Sequence, residues 1–297
     1  DNLVIGNAFD FCIRGYSHGV YNRGQDSAGI LMFEQCNRNR IIQNSATHGG
    51  DGFFGFAGRE ALGDVGEHEP GWYERRGNND NMFIGNDFSY AAAHGLEITF
   101  SFGNQILDNT FVGNSICGIW GGFSQDLMIA HNTFRENGPS GYGLERGDIN
   151  IDHGSNNRLL QNSHFDSTCA VHMWEMPTGF SDKPWGKANL DKAMQESFIV
   201  SSRFSSNGVD IHTRGNARIA VFKNVHIGAT QPNDISKESV IRIIHDTRDE
   251  SGTFDYAASG LPARLTSNPI GARRRLAGRE NIIMTQWGPW DHVSPRN

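Results

Sequence analysis

The chain has 297 residues, of which 37% are apolar, 36 are glycine and 27 are asparagine. That supports a sizeable core, but one divided into short elements, because Gly and Asn favour corners and positive φ. A net charge of −7 and a pI near 5.9 exclude the basic face that a nucleic-acid partner requires, and no run approaches the ~20 apolar residues of a membrane-spanning helix.

The opening residues, DNLVIGNAFD, already read as the middle of a repeat, so the N-terminus is expected to be trimmed or processed. Asn7, Asn44, Asn86, Asn109, Asn132, Asn162, Ser202 and Asn224 align as one column. Three residues earlier stand Val4, Ile41, Phe83, Ile106, Ile129, Leu159, Ile199 and Val221, and two later stand Phe9, Ala46, Phe88, Phe111, Phe134, His164, Phe204 and His226. The shortest spacings are 22 and 23 residues. Such a unit predicts an all-β parallel β-helix with coils stacked ~4.8 Å apart. A leucine-rich repeat is excluded by the lack of a Leu ladder and a helical half. In this reading each Asn sits at a left-handed corner and bonds its counterpart one coil away, and the Phe column fills the core.

The whole chain, 1–297, reads as one such domain with two insertions. Residues 57–80 carry Trp72 and Tyr73, and residues 177–196 carry Phe180, Trp185 and the helical run ANLDKAMQE. Both leave the coil after the same strand and are expected to wall a cleft. The segment GDINIDHG spaces Asp148, Asn150 and Asp152 like a calcium loop, but Leu159 stands where an EF-hand needs Glu. No cofactor or metal is expected from it, because strand alternation explains the same letters. Cys12, Cys36, Cys117 and Cys169 show neither metal-ligand spacing nor a disulfide framework. Arg242–Asp246 reads as one more strand, residues 247–297 as irregular, and Arg273, Arg274 and Arg275 as a solvated run.

The repeat resembles the right-handed parallel β-helix proteins of the pectate-lyase-like class, from residue 1 to about 245. The stretches THGGDGFFGFAGREALG, HGLEITFS, GIWGGFS and TQWGPWD are also similar to a bacterial subgroup associated with carbohydrate breakdown. The resemblance implies a polysaccharide or oligosaccharide partner and a secreted or periplasmic location.

A second strand in each coil begins with a small residue, an apolar one and a variable one. Period-two alternation sends Phe53, Leu96, Ile119, Leu144, Val171 and Val209 inward. Phe54, Glu97, Trp120, Glu145, His172 and Asp210 then form an outward ladder. Acids, an indole and an imidazole in one column suit a sugar site, where the ring stacks on the sugar and carboxylates act as acid and base. Glu145 is expected as the acid and Glu97 as the base, with Asp51 and His172 as further catalytic candidates. Trp120, Trp174, His48, His94, Arg146, Glu175, Asp210, His212 and Arg214 are the candidate substrate-binding residues. The leading expectation is a glycoside hydrolase. A lyase or uronate epimerase, using Arg146, Arg214, His172 or Tyr142, is the alternative, and a non-catalytic carbohydrate-binding β-helix is the third.

Overall fold

A computed structural model describes residues 1–13, 27–140, 146–190 and 196–248. Their strands form three sheets in which every neighbouring pair is parallel. The first sheet runs from Leu3–Ile5 to Val240–Ile244, and the second from Thr110–Val112 to Thr247–Arg248. The third runs from Ala28–Phe33 to Gln231–Ile235. Strands of one sheet follow each other coil by coil, which makes the chain a parallel β-helix solenoid. Arg242–Ile244 lie in a strand, as the sequence predicts.

The core is built from the two columns seen in the sequence. Val4, Ile41, Phe83, Ile106, Ile129, Leu159, Ile199 and Val221 are register partners in the first sheet. Phe111, Phe134, His164, Phe204 and His226 pair in the second, with rings stacked about one coil apart (4.9 Å for Phe111–Phe134, 5.0 Å for Phe134–His164). The Asn column bonds along the axis. Asn109 N and Nδ2 both donate to Asn132 Oδ1, and Asn132 N and Nδ2 both donate to Asn162 Oδ1. A further Asn column, Asn114 to Asn137, does the same at another corner.

The left-handed residue is not the Asn. It is the one before: Gly6, Gln43, Gly85, Asp108, His131, Gln161, Ser201 and Lys223 all have φ between 50° and 67°. The corner is turned there, which leaves the Asn amide free to point along the axis.

Where the Phe column changes to His, the small column facing it changes too. Gly95 and Gly118 leave room for the rings of Phe111 and Phe134 in the next coil: a Cβ on either glycine would lie 2.7–2.8 Å from Cδ1 of the ring. Under His164 and His226 the corresponding residues are Asp148 and Asp210, and each Asp Oδ2 lies 2.8 Å from the His Nδ1.

The two insertions fold into one lobe rather than standing apart as walls. The helix Pro184–Asn189 packs on the turn Pro70–Tyr73 and the short helix Arg59–Leu62. Trp185 is fully buried, donates Nε1–H to Arg76 O, and lies against Phe100, Phe102 and Phe123 of the coils. Between the insertions is a cleft of about 660 Å³, lined by His68, Tyr73, Pro184 and Lys187 among others and by none of the ladder residues.

Candidate functional site

The outward face of the third sheet carries the polar and aromatic residues. Its register runs Leu31, Phe54, Glu97, Trp120, Asn150, His172, His212 and Asp234. Two expected positions are therefore corrected. Asn150, not Glu145, is the partner of Trp120, because the strand above Trp120 is Gly147–Asp152. His212, not Asp210, is the partner of His172. The inward residues of those coils are Ile149 and Ile211 rather than Leu144 and Val209. Leu144 and Glu145 themselves, with Tyr142, lie outside the described residues.

The physical reason is the corner. The chain bends as it enters this sheet, and strict alternation is suspended there. Asp210 is fully buried at that bend, accepting from Asn207 Nδ2 and His226 Nδ1, so it belongs to the core. Asp148 does the same with His164, Ser167 and Asn137, so Asp148, Asn150 and Asp152 do not converge as a calcium loop. His48 is likewise buried, stacked between Phe11 and Tyr90 with ring centroids 4.9 Å apart on each side.

Three of the predicted residues do come together. Asp51 and His94 open neighbouring strands, and His94 N–H donates to Asp51 Oδ1 at 2.9 Å. Glu97, three residues further along the His94 strand, leans back toward them. His94 Nδ1 is 3.0 Å from Glu97 Oε2 and 3.3 Å from Asp51 Oδ1. Side-chain exposure is 1% for Asp51, 11% for His94 and 17% for Glu97. Burial disfavours charge on His94, but its contacts with the two carboxylates outweigh this and hold its pKa up at about 10. Burial raises the carboxyl pKa of Asp51 in spite of that contact.

Trp120 is half-buried beside this cluster. It packs on Ala93, Ile116 and Cys117, and its ring lies 5.5 Å from that of His94. On its other side is a residue that the sequence reading did not single out as catalytic. Asp152 stands two positions beyond Asn150, and its Oδ1 occupies the space left by Gly122: a Cβ there would be 2.6 Å from Asp152 Oδ1 and 3.2 Å from Trp120 Nε1. Asp152 Oδ1 is enclosed and makes no hydrogen bond. Asp152 Oδ2 is 3.4 Å from His153 Nδ1, and His153 Nε2–H donates to Met176 O at 2.5 Å. With the Nε2 proton committed to that carbonyl, Nδ1 is the ring nitrogen that faces the Asp152 carboxylate. Burial works against charge on His153, but these contacts raise its pKa. The signal was present in the letters IDHG, since alternation from Asn150 puts Asp152 on the outward face.

Higher on the face, Trp174 donates Nε1–H to Asn150 Oδ1 at 2.8 Å, and Arg214 lies over its ring at 5.8 Å. His172 is buried between Trp174 and His212, which makes it a support for the face rather than a group presented to a ligand. His212 Nδ1 is 3.0 Å from Asp234 Oδ2. Arg146 is half-buried just before the Asn150 strand, and Glu175, raised in pKa by burial, ends the next one. No protein-family model matches the chain, and no curated protein matches it significantly. Among the described residues no helix is long and apolar enough to cross a membrane.

Proposed function

We propose that the outward face of the third sheet is a carbohydrate site and that the protein hydrolyses a glycosidic bond there. The observation that carries this reading is the half-buried Trp120 with a different carboxylate on each side: Glu97 held against His94, and Asp152 beside His153. An indole offers the apolar face on which a sugar ring stacks. Glycoside hydrolysis needs one carboxyl that gives a proton to the leaving oxygen and one carboxylate that takes a proton from water. Asp152 fits the acid, the role that sequence alone assigns to Glu145, because its enclosed Oδ1 makes no hydrogen bond and lies beside the Trp120 indole. Glu97 fits the base. Trp174 and Arg214 extend the face by two coils, roughly 10 Å, which favours an oligosaccharide or polysaccharide over a monosaccharide. The likeness to pectate-lyase-type β-helices supports the same substrate class.

A panel of plant and algal polysaccharides tests this. New reducing ends without ultraviolet absorbance are expected. Glu97→Gln and Asp152→Asn should each lower turnover by about 10²–10⁴-fold. Asp152→Asn should spare an activated aryl glycoside, which needs no acid. A loss of only a few-fold in both variants refutes the pair.

Arg214, a cation lying over the Trp174 ring at the upper end of the face, favours a second reading as a lyase or epimerase of uronates. Unsaturated products absorbing in the ultraviolet would establish it in place of hydrolysis.

A further inference from the structure

We infer that Asp51, His94 and Glu97 form a binding site for one divalent transition cation of the Mn²⁺ or Zn²⁺ kind. The inference does not rest on the carbohydrate reading, because ion binding is measured without a sugar.

The geometry is that of ligands around an ion. Nδ1 of His94, a carboxylate oxygen of Asp51 and one of Glu97 all lie within 4.8 Å of one another. The imidazole nitrogen is 3.3 Å from the first and 3.0 Å from the second. Ligands about 2.1 Å from one ion and at right angles to each other are separated by about 3 Å, so both distances fit adjacent positions on a single cation. At the same distances a hydrogen bond would require the N–H to point at an oxygen. It does not: Nδ1 is enclosed and forms no aligned hydrogen bond with either carboxylate. Asp51 supplies a second, independent sign. Its side chain is 1% exposed, yet Oδ2 has no hydrogen-bond partner. The backbone N–H of His94 holds the other oxygen in place at 2.9 Å.

Charge leads to the same conclusion. Two carboxylates and a neutral imidazole carry a net charge of −2 in a largely enclosed place, and burying uncompensated charge is costly. A proton on His94 cancels half of it, whereas a divalent cation cancels all of it. The imidazole selects the kind of ion, since Ca²⁺ and Mg²⁺ prefer all-oxygen shells while Mn²⁺ and Zn²⁺ accept a nitrogen among carboxylates. Trp120 lies beside His94, so any open coordination position borders the proposed sugar site.

The test is calorimetric titration of chelator-treated protein with MnCl₂, ZnCl₂ and CaCl₂ at pH 7, using the wild type and Asp51→Asn, His94→Gln and Glu97→Gln. One Mn²⁺ or Zn²⁺ per chain is expected, bound about 100-fold more tightly than Ca²⁺, and weakened at least about 10-fold in each variant. Melting curves establish that each variant is folded. Should one fail to fold, anomalous scattering from a wild-type crystal soaked in MnCl₂ decides, with a peak expected among the three side chains. Absence of 1:1 binding up to about 1 mM (about 4 kcal/mol of affinity), undiminished binding in all three variants, or a peak elsewhere overturns the assignment.

Discussion

In two coils the core replaces a Gly–Phe contact by an Asp–His pair, and exchanging one kind for the other makes a sharp test of the fold. His226 stacks on Phe204 at 4.9 Å, and its Nδ1 is 2.8 Å from Oδ2 of the fully buried Asp210. His226→Phe leaves that carboxylate with Asn207 Nδ2 as its remaining side-chain donor, and stranding a buried charge costs about 3–5 kcal/mol. Asp210→Gly leaves His226 with the more distant Asp246, at 3.4 Å, and should cost about 1–3 kcal/mol. The double variant recreates the Gly118–Phe134 packing and should fall within about 1 kcal/mol of the wild type. Buried pairs replaced by well-packed apolar groups are often neutral or better.

The pair also predicts a pH dependence. Burial lowers the pKa of His226, but its contacts with Asp210 and Asp246 outweigh this and hold it at about 9. A folded pKa above the unfolded ~6.5 gives stability that is complete below pH ~6.5 and lost as pH rises through about 9, at most roughly 3 kcal/mol. Urea unfolding of all four proteins at pH 6 and pH 10 reads both effects. The double variant should lack this share of the pH dependence. If it is instead as unstable as the two single losses combined, the Asp–His pairing is not what sets these positions.

Other consequences follow from single contacts. Phe111 is fully buried between Phe88 and Phe134, so Phe111→Ala should cost about 3–5 kcal/mol in denaturant unfolding. Asn132→Ala removes the acceptor for Asn109 N and Nδ2 and the donor to Ile106 O, and at about 1–3 kcal/mol per stranded group it should destabilise by more than ~2 kcal/mol. Trp185→Ala should loosen the lobe of the two insertions, seen as faster amide exchange over 57–80, while the first-sheet strands keep their protection. Equal loss of protection throughout would show the lobe to be part of the coil stack. Trp120→Ala should weaken oligosaccharide binding by about 10-fold, in line with the up to ~1.5 kcal/mol that an aromatic stacking contact supplies, without changing the melting temperature by more than a few degrees.

The repeat was legible in the letters because every coil meets the same two demands. One side chain must bond along the axis at a corner, and one ring must fill the space beneath it, so Asn and Phe recur at 22–23 residues and define the β-helix, the first two sheets and the core columns. The cluster of Asp51, His94 and Glu97 and the half-buried Trp120 were also within reach, since alternation from HGLEI and GIW holds once the strand is under way.

What the sequence could not decide is where alternation starts. The chain bends on entering the third sheet, and within the bend an acid can face either way. Asp148 and Asp210 turn inward to meet His164 and His226, while Asp152 and His212 take the outward places. Register comes from backbone hydrogen bonds to the coils above and below, and those partners are 22 to 43 residues away. The meeting of the two insertions around Trp185 is of the same kind. Two segments more than 100 residues apart are joined only because the solenoid places their exits side by side.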